Sequence, residues 1–200
     1  MNQDINYKLT ARHFAGVVPK VSFMLWEKER FRKLINFTNI TQLEQDRIFN
    51  EIEVSFLGLF ILYLEYLSSV LEGIEKELIE KIIDNTVEEF LAIFKELQIE
   101  EKFIKEWRLL IDMRLKEYRI DYQLLLKEES NSKELKKNDH FRITWARVET
   151  ITLDCLTHIR RGKLEQKDPL RKYLQDWVLN VDKIFADTIK KIIFSPQGFA

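Results

Sequence analysis

Long stretches of this chain place an apolar residue at every third or fourth position, and almost nothing interrupts them. The 200 residues include only five Gly and three Pro, most of them where one periodic stretch gives way to the next. Because this spacing puts apolar side chains on one face of an α-helix, the pattern predicts helices that bury that face. No strand-like alternation and no solenoid-type repeat stands out. We therefore expect an all-α fold, an antiparallel helical bundle of about six long helices in a single domain over residues 1–200.

The composition excludes several classes of protein. An apolar fraction of 46% with a net charge of -1 is too hydrophobic and too neutral for a disordered chain or an obvious polyanion binder. The charge is unevenly distributed, since residues 41–100 carry fourteen acidic and four basic side chains. Two interpretations stay open. The charges form solvated helix faces that neutralise each other in the fold, or they form two patches of opposite sign, one that binds a partner and one that steers its approach.

The chain gives no sign of secretion or of a membrane span. Cys155 is its single cysteine, and the N-terminal residues lack the apolar core of a secretory signal, so we expect a cytoplasmic protein. The most apolar segment, residues 54–64, meets Glu65 after eleven residues. A bilayer span needs about 20 residues, so we expect a helix buried at the centre of the bundle and no membrane insertion.

Turn and capping signals place the helices of the first half. Residues 1–18 are weakly periodic, so we expect a loosely packed N-terminal segment followed by a first helix over about 21–37. Pro19 suits the first turn of that helix, where its missing N–H costs nothing. The second helix should begin after Thr41, with Glu44 completing a capping box.

The second helix should continue to about residue 72. Gly58 lies inside it and indicates a close contact with another helix, and Gly73 should terminate it. A third helix is predicted over about 74–97 and a fourth over about 100–128. The join between them contains neither Gly nor Pro, so the sequence does not decide whether they are one element.

Three signals organise the second half of the chain. Residues 129–138 are polar and rich in Ser and Asn, which predicts a flexible loop. A fifth helix should run over about 139–161 and end at Gly162. Asp168 followed by Pro169 should open the sixth helix, because an Asp cap and a first-turn Pro form a standard helix start.

No catalytic, cofactor-binding or metal-ligating residue is predicted. None of His13, His140 and His158 has an acid three residues before it, so the Glu-x-x-His signature of di-iron bundles is absent. Cys155 and His158 share one helix but lack the further ligands of a zinc site, and Cys155 lies on an apolar stripe typical of a core residue. The chain also lacks a nucleophile elbow and a phosphate-binding loop.

Two further features single out particular residues. Glu65 interrupts the most apolar segment, and we predict it as a special buried acid whose partner is Arg114, Arg119 or Arg147. A possible basic contact patch consists of Arg160, Arg161, Lys163, Lys167, Arg171 and Lys172. This patch lacks interleaved aromatic residues and a recognition-helix pattern, so we do not expect nucleic-acid binding.

These patterns favour a non-enzymatic protein that acts through its helix faces as a protein–protein interaction or regulatory module, as a homodimer or within a complex. The alternative is a sensor or carrier that holds an apolar small molecule inside the bundle, since the aromatic stripes could line a pocket. The hypothesis of an enzyme would rest only on Cys155, His158 and carboxylates that the sequence does not bring together. No cofactor is expected.

Overall fold

A computed structural model describes residues 6–130 and 139–194. In these ranges the chain forms helices and no strands, which confirms the predicted all-α bundle of about six long helices. One short helix and a single 3-10 turn at Phe37–Asn39 join two of the long ones. The helices are α1 Tyr7–Trp26, α2 Glu29–Leu34, α3 Gln42–Val70, α4 Gly73–Glu96, α5 Glu101–Ser130, α6 Asp139–Ile159 and α7 Pro169–Phe194.

Helix α3 forms the centre of the bundle. It contacts α1, α4, α5, α6 and α7, and every residue from 51 to 64 is buried. By length and composition α3 could cross a membrane, yet 72% of its most apolar window is buried against the rest of the protein. Its apolar surface is therefore largely covered by the surrounding helices, as expected for the central helix of a bundle.

Gly58 brings α3 and α5 close together, as predicted. A Cβ atom built at this position would lie 2.5 Å from Cε2 of Tyr118 and closer still to Cδ2 of the same ring. Tyr118 is fully buried, and its hydroxyl forms a hydrogen bond of 3.2 Å with the Ser55 hydroxyl on α3. Only a residue without a side chain leaves room for this ring against the α3 backbone.

The N-terminal region differs from the prediction. Residues 7–18 belong to α1, whose first turn is capped by the Asn6 side chain, and Pro19 lies inside the helix rather than at its start. Phe14 and Val18 are completely buried, as are two alanines, so this segment is packed and not loose. The error arose because two of these four buried residues are alanines, which contribute little to an apolar pattern.

The predicted first helix over 21–37 is wrong in its second half. Helix α1 ends at Trp26, and α2 begins after Lys28. Asn36 adopts a left-handed backbone (φ 57°) before the 3-10 turn. The cap of α3 is confirmed, because the Thr41 hydroxyl accepts a hydrogen bond from the Glu44 backbone N–H.

The remaining boundaries show that the third and fourth predicted helices are separate elements. Gln98 adopts a left-handed backbone (φ 59°) after α4, and the Ile99 N–H closes the helix end onto the Phe94 carbonyl. Gly73 is the first residue of α4, whereas α3 already ends at Val70, so Gly73 is not its terminator.

The ends of α6 and α7 follow the predictions. The N–H of Gly162 bonds to the Thr157 carbonyl at 2.8 Å, which closes α6. The Asp168 side chain accepts from the Leu170 N–H at 2.8 Å and caps α7. Of the predicted loop over 129–138, residues 129 and 130 extend α5, and residues 131–138 lie outside the described part of the chain.

Candidate functional site

Helix α5 carries apolar side chains on two opposite faces. One face is buried in the core and includes Ile111, Leu115 and Tyr118. The other, which we call the outer face of α5, exposes four large apolar side chains to solvent by 52–64% of their surface. They are Leu109, Met113, Ile120 and Leu124. A helix that packs on one side only normally has a polar second face, so this face is unusual.

The outer face is built on an eleven-residue repeat. Leu109 and Ile120 are eleven residues apart, and so are Met113 and Leu124. Eleven residues make three turns of an α-helix with a drift of only about 20°. The four side chains therefore form a straight stripe along a helix that is about 45 Å long for its 30 residues.

Charged side chains follow the same repeat on both sides of the stripe. One flank carries Lys105, Lys116 and Lys127, each eleven residues from the next. The other flank carries acids at the same interval, which are Glu106, Glu117 and Glu128. The outer face of α5 thus has a positive edge and a negative edge.

A second feature lies where α5 packs against α6. Glu117 and Asp121 on α5 and Asp154 on α6 each place one carboxylate oxygen within 4.8 Å of the others. We call these three residues the α5–α6 acid cluster. Burial, together with the charges of Asp121 and Glu117, raises the pKa of Asp154 to about 8. Such a group of carboxylates is costly in the absence of a cation or a shared proton.

Basic side chains around the cluster pair with only one of its three acids, Glu117. Arg114 donates to Glu117 at 3.2 Å and forms a two-bond pair with Glu51 on α3, at 2.8 and 2.9 Å. His158, one turn beyond Asp154, places Nε2 2.9 Å from Glu117. Among the described residues, no Lys or Arg forms an ion pair with Asp121 or Asp154, and these two side chains form a hydrogen bond with each other.

A buried ion pair ties α6 to α7. Arg147, only 1% exposed, forms a two-bond pair with Asp182 at 2.7 and 2.9 Å. Its guanidinium also lies over the Tyr63 ring of α3, 4.9 Å from the ring centre. Three helices therefore meet at one charged group, which fixes how they pack.

Glu65 is not the buried acid that the sequence suggested. Its side chain is 31% exposed, and it accepts two hydrogen bonds from Arg119, one of the three predicted partners, at 2.6 and 2.8 Å. The deeply buried acids lie elsewhere. Besides Asp154, Glu53 on α3 is buried, and desolvation raises its pKa to about 8.

The predicted basic contact patch is largely occupied by acids of the same chain. Arg160 forms a two-bond pair with Asp168, and Arg161 binds Glu44. Arg171 binds Glu149, and Lys172 lies 2.7 Å from Asp176. Lys163 and Lys167 are exposed. Four of the six predicted residues thus form ion pairs within the chain, which leaves little free positive charge for a partner.

The single thiol occupies a core position, as predicted. Cys155 is buried, and burial raises its pKa to about 12, the opposite of what a nucleophile requires. The hydrogen bond of His158 goes to Glu117 rather than to a thiol. The predicted aromatic stripes are packed ring against ring, for example Phe60 against Phe14 and Phe185 with centres 4.1 and 5.0 Å apart.

Sequence reasoning overlooked both the outer face and the acid cluster, although each left a signal. The outer face is visible as the eleven-residue spacing of apolar and charged positions on α5. For the cluster, the signal is a pair of polar residues four apart on each of two adjacent helices, Glu117 with Asp121 and Asp154 with His158. Only the pairing of α5 with α6 brings these residues together.

Comparison with known proteins identifies no relative of this chain. The chain matches no protein-family model, no curated protein and no solved structure.

Proposed function

We propose that this protein is a non-enzymatic interaction module that self-associates through the outer face of α5. The observation that carries the proposal is the stripe of Leu109, Met113, Ile120 and Leu124, exposed on the side of α5 that faces away from the core. Single exposed apolar residues are ordinary, but a contiguous row rimmed by charges is typical of an interaction surface.

The charged edges support a second copy of this chain as the partner. When two identical helices pack side by side and parallel around a two-fold axis, the left edge of one meets the right edge of the other. The lysine edge of each α5 then faces the glutamate edge of the other, at nearly the same height along the helix. In an antiparallel pair lysine would face lysine, so the charges favour the parallel arrangement.

The core-facing sides of the two α5 helices point away from each other in this arrangement. Each bundle therefore lies on its own side of the paired helices, and the outer faces meet without displacing any core contact. Removal of the four apolar side chains from water provides the driving force, and the charged edges set orientation and register.

The interaction module requires no catalytic group, and burial, which raises the pKa of the Cys155 thiol, argues against a cysteine nucleophile. We place the protein in the cytoplasm, because its only cysteine is a free thiol inside the core. The alternative of an apolar-ligand carrier stays a prediction. It receives less support, because aromatic rings in the core, such as Phe14, Phe60 and Phe185, pack against each other.

The test is the mass of the purified protein in solution, by light scattering after gel filtration over a range of concentrations. Wild type should approach twice 24.2 kDa as the concentration rises. Met113→Lys with Ile120→Lys should remain monomeric, whereas Leu179→Lys with Ile184→Lys, exposed apolar residues on α7, should behave like wild type. A wild type that is monomeric at every concentration overturns the proposal.

Charge reversal tests the orientation. In the parallel pair, Lys105→Glu places two acids against each other and should weaken the dimer, and adding Glu106→Lys should restore it. In an antiparallel pair Lys105 of one helix faces Lys127 of the other, so Lys105→Glu would strengthen association. Stronger association would therefore contradict the parallel arrangement while retaining the outer face as the interface.

A further inference from the structure

The α5–α6 acid cluster has the composition of a cation site. Its three carboxylates come from two helices and converge to within 4.8 Å. Carboxylate oxygens are the ligands that small hard divalent cations prefer in proteins. Acidic clusters also form by chance, so a further observation has to indicate a ligand.

That observation is the state of Asp154. The residue is only 9% exposed, and its Oδ2 atom is fully buried without a hydrogen-bond partner among the described residues. The Asp154 side chain also forms a hydrogen bond with Asp121, and two carboxyl groups can approach in this way only if they share a proton or a cation. Glu117, in contrast, has Arg114 and His158 as partners. The missing positive charge is therefore on the Asp154 side of the cluster.

We propose that Glu117, Asp121 and Asp154 bind a small divalent cation such as Mg²⁺ or Mn²⁺. Mg²⁺ and Mn²⁺ accept a few carboxylates and fill their other positions with water, which suits three acids beside solvent. A surface groove of about 400 Å³, lined by Met113, Lys116 and Ile120 together with Glu117 and Asp121, gives water and the ion access to the cluster.

His158 acts as a positioning residue at this site. Its Nε2 atom lies 2.9 Å from Oε2 of Glu117, the atom that also accepts from Arg114. Outer partners of this kind hold a ligating carboxylate in place and influence metal affinity. The Arg114 charge, which would repel a cation, is largely neutralised by its two-bond pair with Glu51. All three acids belong to one chain, but Glu117 also lies on the negative edge of the outer face of α5, and Met113 and Ile120 belong to both surfaces. Cation binding is therefore measured at a protein concentration where the chain is monomeric.

Titration of the wild-type protein with MnCl₂, followed by electron paramagnetic resonance of the free ion, tests this proposal. We expect saturable binding of one Mn²⁺ per chain that Mg²⁺ displaces. Asp154→Asn keeps the shape of the side chain and should weaken Mn²⁺ binding by more than about tenfold, since even outer-shell changes weaken metal affinity about 10–100-fold. His158→Gln should weaken it less.

The matched control is Glu53→Gln, which removes another buried acid from outside the cluster and should leave Mn²⁺ affinity unchanged. Circular dichroism of each variant confirms that it folds. The proposal is overturned if wild type shows no saturable binding, or if Asp154→Asn binds Mn²⁺ as tightly as wild type, which would indicate diffuse association with the acidic surface. Displacement by Ca²⁺ but not by Mg²⁺ would contradict the small-ion assignment.

Discussion

Replacement of Gly58 by Ala tests the closest helix contact in the bundle. The new methyl group would overlap the Tyr118 ring, whose Cε2 atom lies 2.5 Å from the ideal Cβ position. The ring cannot turn away freely, because it is completely buried and its hydroxyl is bonded to Ser55. Either the Tyr118 ring shifts or α3 and α5 move apart, and both disturb the core.

Three contributions set the expected magnitude. Overpacking a core costs about 1–3 kcal/mol. Displacement of Tyr118 puts its hydrogen bond to Ser55 at risk, which is a loss of about 1 kcal/mol. Alanine gains about 1 kcal/mol over glycine inside a helix, which offsets the lost bond. We therefore expect Gly58→Ala to lower the free energy of unfolding by about 1–3 kcal/mol.

The chain provides a matched control for this substitution. Gly16 lies inside α1, and a Cβ built there meets no atom within 4 Å. Gly16→Ala should therefore raise the free energy of unfolding by up to about 1 kcal/mol, through helix propensity alone. The same chemical change should thus have opposite signs at the two positions.

Urea unfolding at one fixed protein concentration measures both variants, because self-association would otherwise add to the apparent stability. The reasoning is refuted if Gly58→Ala is as stable as wild type or more stable. A second check uses Tyr118→Leu as the background. With the ring removed, Gly58→Ala should lose most of its cost, and an unchanged cost would show that the overlap is not its cause.

Two further predictions concern buried charges. Asp182→Ala should lower the free energy of unfolding by about 3–5 kcal/mol, because it leaves Arg147 buried without its partner. As a control, Asp176→Ala breaks the exposed pair with Lys172 and should change the free energy of unfolding by no more than about 1 kcal/mol. Comparable urea midpoints for the two variants would contradict this prediction. Glu53 should make stability fall as pH rises, because the folded protein keeps its proton up to about pH 8 while the unfolded chain releases it near 4.5. Between these values the Glu53 contribution to the decline is at most about 1.4 kcal/mol per pH unit. Glu53→Gln should make urea unfolding curves recorded at pH 5 to 8 less dependent on pH and leave the similar contribution of Asp154. Identical pH profiles for wild type and variant would show that Glu53 is ionised in the fold.

Local signals in the sequence were sufficient for the fold class and for several helix ends. The Thr41 and Asp168 caps depend on side chains within three residues of their targets, so their positions could be predicted without the tertiary structure. The close contact at Gly58 was also predictable, because a glycine weakens a helix interior and is typical of a position where another helix approaches the backbone. The first part of helix α1 was missed because Ala11 and Ala15 are buried while adding little to an apolar pattern.

Long-range pairing makes the charged groups harder to place from sequence. Glu65 interrupts an apolar run, which suggested a buried acid, yet it lies near the surface beside Arg119. Glu53 and Asp154 are deeply buried, yet each has apolar neighbours on both sides in the sequence just as Glu65 does, so the local pattern does not distinguish them. Their burial depends on which helices pack together, and a single sequence does not contain that information directly.

Replacement of Asp154 by Asn should have opposite effects on stability and on Mn²⁺ binding. The comparison therefore distinguishes a metal ligand from a residue that only supports the fold. If Asp154 mainly held α5 and α6 together, Asp154→Asn would destabilise the protein. The structure indicates the reverse, because Asp154 lies beside two other acids and its Oδ2 atom has no donor among the described residues. Without added metal, Asp154→Asn should therefore be at least as stable as wild type, and with Mn²⁺ only wild type should gain stability. Loss of stability in the metal-free variant would show that the carboxylate supports the fold through a contact that requires no cation.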